Sequence, residues 1–164
     1  MGPNGQILRD DHLLIMRLTD GILRLTLRQK RMSWRVIQAL IAASEQIEAR
    51  TDVRVVVVES AHADFCHGVD LADAELFESV ARDGGRRVAE VGADLVNRWS
   101  NLGVPTIAVL RGFVIGGGAC LAFACDFRVA HSDAQFIFPE IDRGMHLSWG
   151  IIPRLVNEVG VGTT

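Results

Sequence analysis

The amino-terminal third of the chain alternates apolar and polar residues in a way that predicts two paired strands. The segments LLIMRL and ILRLTL lie on either side of Thr19-Asp20-Gly21. Asp-Gly between two such runs is a strong hairpin signal, because both residues tolerate the left-handed backbone of a tight turn. Apolar residues then recur at helical spacing after Ser33, which predicts a helix capped by that serine.

Unbroken apolar runs replace this alternation further along the chain. VRVVVV, from Val53 to Val58, and TIAVL, after Pro105, have the character of strands buried on both faces of a parallel sheet. Four further helices are predicted: one at about 71–82, one at about 88–102, a short one that ends near residue 125, and one that starts near residue 148. Two further strands are predicted, one from residue 127 and one around residues 136–138. This order predicts right-handed βαβ units and one α/β domain over residues 1–164.

The composition and charge of the chain argue against some classes of function. The chain has 164 residues, 23% of them charged, with a net charge of −3 and scattered arginines, so neither nucleic acid nor an anionic membrane surface is an expected partner. No apolar stretch reaches the roughly 18 residues of a membrane helix. Three cysteines without a secretory signal favour a reducing compartment, and we expect a cytoplasmic protein.

Two glycine-containing loops follow the two buried strands, and we expect them at the same edge of the sheet. One contains Gly68 in CHGVD, and the other contains Gly116-Gly117-Gly118 in GFVIGGG. The second fits neither a dinucleotide fingerprint nor a phosphate-binding P-loop. The cysteines and His67 lack the spacing of zinc ligands, so no metal is expected.

Glycine before a helix can expose a backbone N–H to a ligand, because no side chain stands in the way. The first N–H groups of a helix are unpaired, and the helix dipole favours negative charge there. Two such groups, one from each loop, could hold a carbonyl oxygen that gains negative charge, as in an oxyanion hole. The alternative is that the glycines serve only the close packing of helix on strand.

The segments FCHGVDL, PTIAVLRGFVIGGGACLAFACDFRVAHSDAQFIFPEIDRG and WGIIPRL resemble the crotonase family of enoyl-CoA hydratases and isomerases over about residues 21–160. The resemblance implies a ClpP/crotonase spiral of ββα repeats with a helical carboxyl-terminal part, assembled as homotrimers or hexamers. It also implies an acyl-CoA thioester as substrate, with coenzyme A as its carrier and no other cofactor, and a place in fatty acid metabolism.

The resemblance also implies site residues. The two oxyanion donors fall on the backbone N–H groups of Val69 and Gly117, and the acid/base carboxylate falls on Glu140, whose apolar neighbours predict a raised pKa. The second glutamate of the family's hydratases falls on Cys120, which cannot act as a carboxylate base. Isomerisation through one glutamate is therefore favoured over simple hydration. The alternatives are a non-catalytic acyl-CoA-binding or assembly subunit, and thioester hydrolysis through a Cys120 thiolate.

Further residues are expected around the substrate. They are Cys66, His67, Gly68, Gly116, Cys120, His146 and Ser148. Ser148 and Trp149 occupy positions where the family has small loop residues, which predicts a reshaped pocket, and Asp70 is expected to cap the helix that follows it. The chain ends at VGVGTT, where family members continue, so the helical part is expected to be largely missing and apolar faces to be exposed.

Overall fold

The computed structural model describes residues 5–164. The strands are β1 (Gln6–Asp10), β2 (Leu14–Thr19), β3 (Ile22–Leu27), β4 (Val55–Ser60), β5 (Thr106–Leu110), β6 (Phe113–Ile115), β7 (Phe127–Ala130) and β8 (Gln135–Ile137). The helices are α1 (Trp34–Glu48), α2 (Ala74–Asp83), α3 (Arg86–Ser100), α4 (Gly117–Ala124) and α5 (Ile152–Val159). None of these helices is long and apolar enough to span a membrane.

Six strands form one large sheet in the order β1-β2-β3-β4-β5-β7. The strands from β1 to β3 are antiparallel, whereas β3, β4, β5 and β7 run parallel. The predicted hairpin is β2–β3, and its turn has left-handed backbone at Asp20 (φ 52°) and Gly21 (φ 79°). Strand β1 was not predicted.

A smaller layer follows the large sheet along the chain. Strand β6 pairs in parallel with β8, and single bridges join Met32 to Val69 and Cys66 to Val114. A strand of the large sheet is therefore repeatedly followed by a short extended segment in the second layer and, in most cases, by a helix. This is the expected spiral of ββα repeats, and the fold prediction is confirmed for the part of the chain that the structure describes.

The core lies between the sheet and the helices. All eight residues of α4 are buried, so this helix is surrounded on every side. Helix α1 buries its predicted face, and the indole N–H of Trp99 in α3 donates to the Leu40 carbonyl oxygen at 3.2 Å. Ser33 caps α1 as predicted and accepts a hydrogen bond from the Val36 N–H.

Three local predictions were wrong. Helix α2 is capped by Asp73, which accepts the Leu76 N–H at 3.0 Å. Asp70, three residues earlier, instead accepts the Ala72 N–H in the turn before the helix. The last helix starts at Ile152 rather than near residue 148. Strand β6 lies inside the segment predicted as a loop directly after β5, because three residues are too few to show strand periodicity.

Three hydrogen bonds join Thr106, at the start of β5, to Asp126, the residue just before β7. The Asp126 carboxylate accepts both the backbone N–H and the hydroxyl of Thr106, each at 2.8 Å, and the Thr106 oxygen accepts the Asp126 N–H. Thr106 is fully buried. This pair fixes the end of α4 against the strand that leads into the second glycine loop.

Thr106→Val is predicted to lower the free energy of unfolding by about 1 kcal/mol, because it removes the two hydrogen bonds that the Thr106 hydroxyl makes with the exposed Asp126. Thr106→Ser keeps the hydroxyl and should retain most of that stability. Urea unfolding of the two variants provides the measurement. Equal midpoints for the valine and serine variants would contradict the prediction.

Candidate active site

The first glycine loop is pressed against the second at Gly68. Gly68 has φ +80°, and a β-carbon there would lie 3.0 Å from the Ile115 carbonyl oxygen and 3.8 Å from the Gly117 nitrogen. The segment is also held from its other side, because Met32 donates its N–H to Gly68 and accepts the Asp70 N–H. These contacts bring the N–H of Val69 next to the start of α4.

The second loop turns sharply at Gly116, which has φ +48°, and α4 begins at Gly117. The Gly116 N–H donates to the Ile137 carbonyl oxygen at 2.9 Å. A β-carbon on Gly117 would lie 3.2 Å from Cγ2 of Val69, so the two predicted donor residues are in contact. Within residues 5–164, neither the Val69 N–H nor the Gly117 N–H donates a hydrogen bond.

Glu140 is beside this pair of N–H groups. Its Oε1 atom is 2.9 Å from the position that a β-carbon of Gly116 would take, so a side chain there would displace the carboxyl group. Its Oε2 atom is buried and has no hydrogen-bond partner among the described residues. Burial raises the pKa of Glu140 above its usual value, as expected from the sequence, although its neighbour Ile141 is exposed to solvent.

Cys120 packs near Glu140 and has almost no solvent exposure. Its side chain is 1% exposed, and burial, followed by the nearby Glu140 carboxylate, raises the pKa of the Cys120 thiol to about 12. The thiol is therefore protonated at neutral pH. A protonated thiol is a weak nucleophile.

A cavity of about 1000 Å³ opens in front of these groups. Of the predicted site residues it is lined by His67, Gly68, Val69, Gly116, Gly117, Cys120, Glu140, His146 and Ser148. Cys66 is not among its lining residues. The Cys66 side chain instead packs under α4, with Sγ 2.9 Å from the place of a Gly118 β-carbon, so its position does not favour substrate contact.

The far wall of the cavity is apolar, and only its part before α5 was expected from the sequence to lie near the substrate. Residues of α2, of the loop before it, of α3 and of the loop before α5 form it: Leu71, Leu76, Phe77, Val80, Val88, Ala89, Met145, Leu147 and Trp149. Phe77 is 67% exposed and Leu71 is 51% exposed, so large apolar side chains face open space there. An apolar group would bury this surface favourably.

Trp149 connects this wall to the second loop. Its buried indole ring occupies the space of two missing side chains: a β-carbon on Gly92 of α3 would collide with the ring, and one on Gly117 would lie 2.9 Å from it. The sequence predicted that Trp149 lies in a reshaped pocket. It did not predict the contact with Gly92, which is 57 positions away. Trp149 and Val69 of the first loop thus both pack around the space where Gly117 lacks a side chain.

One further charged pair borders the two loops. Asp64 lies 2.8 Å from the Nε2 nitrogen of His67 and accepts the Phe113 N–H at 3.0 Å. The sequence placed His67 near substrate but assigned nothing to Asp64. The spacing of three residues between Asp64 and His67 was the only local signal for this pair.

Comparisons with known proteins agree with the fold and show the family. Residues 18–163 match the family model described as enoyl-CoA hydratase/isomerase. The short-chain-enoyl-CoA hydratase of Clostridium acetobutylicum is 32% identical over 118 residues, which are 71% of this chain and 44% of that protein. The mitochondrial Delta(3,5)-Delta(2,4)-dienoyl-CoA isomerase of Mus musculus is 33% identical over 139 residues, 79% of this chain and 41% of that protein.

Solved structures of similar proteins share the fold. The crystal structure of a putative enoyl-CoA hydratase from Streptomyces coelicolor A3(2) superposes with a TM-score of 0.85 at 26% identity, covering 99% of this chain and 61% of that one. The chain thus spans less than half the length of these two curated relatives and about 60% of this solved structure.

Proposed function

Since the chain belongs to the enoyl-CoA hydratase/isomerase family, we propose that it moves a proton on an acyl-CoA thioester. In this proposal the N–H groups of Val69 and Gly117 hold the thioester oxygen, and Glu140 is the acid/base. The observations that carry it are the packing of Val69 against Gly117, whose N–H groups have no acceptor among the described residues, and the nearby carboxyl group of Glu140, whose Oε2 is buried without a partner there.

The two N–H groups would stabilise negative charge on the thioester oxygen. When a proton leaves the carbon next to the thioester, the electron pair of the C–H bond moves into an enolate whose charge is largely on that oxygen. Two preorganised donors in a site shielded from water stabilise the enolate more than the neutral thioester, which lowers the barrier. The dipole of α4, which starts at Gly117, acts in the same direction.

Glu140 would take the proton and return it. Its ionised carboxylate accepts the proton as the C–H bond breaks, and its protonated form then donates the same proton to a different carbon of the enolate system. The double bond shifts, and no atom is gained or lost. Burial favours this role, because a carboxyl group with a raised pKa is a stronger base once ionised.

Isomerisation is favoured over simple hydration because the described site has no second carboxylate where the family's hydratases have one. Cys120 stands there, and its thiol is protonated at neutral pH. Water addition would have to be assisted by Glu140 alone. The relatives include proteins named as hydratases and as an isomerase, so both reactions belong in a substrate screen.

The same cysteine favours one alternative, an acyl-CoA-binding or assembly subunit without catalysis. Such a protein would bind acyl-CoA but turn over none of the enoyl-CoA substrates. Binding measured by calorimetry, alongside turnover on enoyl-CoA thioesters of different chain length, separates the alternative from the enzyme.

Glu140→Gln is predicted to lower turnover about 100-fold or more, because an amide cannot accept the proton. Asp142→Asn, an exposed carboxylate two residues away in the same turn, is the matched control and should keep the wild-type rate. In the wild type and the control, kcat/KM should fall as the pH drops through the pKa of Glu140, which burial raises above its usual value, because only the ionised form is a base. Full activity of the glutamine variant would exclude this mechanism.

Iodoacetamide is predicted to leave turnover of the folded protein unchanged at pH 7, because the Cys120 thiol is buried and has a pKa of about 12. Alkylation in guanidinium, where the cysteines become accessible, is the control for the reagent. Loss of activity together with a mass-spectrometric label on Cys120 in the folded protein would instead support thioester hydrolysis through its thiolate.

A further inference from the structure

We infer that Asp64 is a positioning residue, whose carboxylate ties together the two loops that present the N–H groups of Val69 and Gly117. The inference rests on the proposed function, because it concerns the geometry of the proposed oxyanion hole. Asp64 itself touches neither N–H group. It acts through His67 in the first loop and through Phe113 in the second.

The two contacts of Asp64 reach one loop each. Oδ2 lies 2.8 Å from Nε2 of His67, two residues before Val69. Oδ1 accepts the backbone N–H of Phe113 at 3.0 Å, four residues before Gly117. One carboxylate therefore links points close to both donors.

The sequence around Phe113 leaves room for this carboxylate. Gly112 has φ +52°, and a β-carbon there would collide with Oδ1 of Asp64. The ring of His67 also stands edge-on to the ring of Phe113, with 5.8 Å between centroids and a 90° angle between planes. The missing side chain of Gly112 thus leaves space for Asp64, and the ring of Phe113 packs against His67.

The charges strengthen the bridge. The Phe113 N–H and, next, the His67 side chain lower the pKa of Asp64, so its carboxylate is ionised at neutral pH. An ionised carboxylate can only accept, so Nε2 of His67 carries the proton in this contact. Hydrogen bonds to an ionised group are stronger than those between neutral groups.

Backbone hydrogen bonds alone do not hold Val69 against the second loop. Cys66 donates to the Phe113 carbonyl oxygen at 3.0 Å and accepts the Ile115 N–H at 2.9 Å, but this pairing stops at Cys66. The His67 N–H turns away and donates to Lys30 at 2.7 Å. Among the hydrogen bonds of residues 5–164, the His67 side chain is thus the last link to Asp64 and the second loop before Val69.

The contact between the two loops continues beyond this link only as packing. Gly68 meets the Ile115 carbonyl oxygen, and Val69 meets Gly117 through its methyl group. Packing permits small sliding movements that a charged hydrogen bond resists. A misplacement of about 1 Å at such a site can cost about 100-fold in rate, so losing the link should affect catalysis more than substrate binding.

Asp64→Ala in the full chain is predicted to lower kcat by about 10- to 100-fold with little change in KM. Asp64→Asn should restore most of the rate, since its amide oxygen can still accept the Phe113 N–H and its amide nitrogen can donate to Nε2 of a neutral His67 that carries its proton on Nδ1. The matched control is Asp133→Ala. Asp133 holds the second loop by accepting the Gly112 N–H at 3.2 Å and pairs with His131, but within residues 5–164 it makes no hydrogen bond or ion pair with the first loop.

A second readout needs no activity. In nitrogen-15 NMR spectra of the substrate-free protein, Asp64→Ala should shift the amide signals of both Val69 and Gly117, and Asp133→Ala should shift neither. His67→Ala removes only one of the two contacts and should shift the Val69 signal in the same direction, so this test remains if the Asp64→Ala protein does not fold.

The outcomes separate the inference from the proposed function. Unchanged Val69 and Gly117 signals in Asp64→Ala, or an equal loss of kcat in Asp64→Ala and Asp133→Ala, would overturn the bridging role. Shifted signals in a protein that turns over no acyl-CoA would support the bridge and overturn the proposed function instead.

Discussion

The close contact between two backbone loops is the constraint on which the rest of the site depends. Gly68 and Gly117 meet where neither carries a side chain, and Gly118 makes room for Cys66 below them. Larger residues at any of these positions would force the loops apart. Helix α4 is buried along its whole length, so it gives the second loop a fixed base, and the single bridge from Cys66 to Val114 gives the first loop its register.

That contact determines the electrostatics of the cavity. Among the described residues it leaves the N–H groups of Val69 and Gly117 without acceptors, and both residues line the same cavity as the partly buried Glu140. The same shielding keeps the neighbouring Cys120 protonated. A site of this kind favours a ligand that gains negative charge while Glu140 takes up or returns a proton, as in the proposed reaction. The apolar wall on the other side of the cavity favours an uncharged chain attached to that ligand.

Features that depend on neighbouring residues could be predicted from the sequence. The β2–β3 hairpin follows from Asp-Gly between alternating runs, and the cap of α1 follows from Ser33. Two carboxylates three residues apart compete to cap α2, and local pattern does not decide between Asp70 and Asp73. The chemical identity of the predicted site came from the family resemblance, because spacing alone left packing as an equal explanation for the glycines.

Contacts between distant segments could not be predicted. Trp149 fills the space over Gly92, and Asp64 meets the N–H of Phe113, only because the spiral brings these segments together. The orientation of Cys66 away from the cavity likewise depends on how the first loop packs under α4. Each of these contacts depends on how the repeats pack together, and none produces a periodic pattern of residues in the sequence.

The crystal structure of the protein with a saturated acyl-CoA, which has no double bond to move, is the most direct measurement. We expect the thioester oxygen to lie within about 3.2 Å of the backbone nitrogens of both Val69 and Gly117, which is hydrogen-bond distance. The carbon next to the thioester should face Glu140. An oxygen bound elsewhere in the cavity, or held by only one of the two N–H groups, would contradict the proposed oxyanion hole.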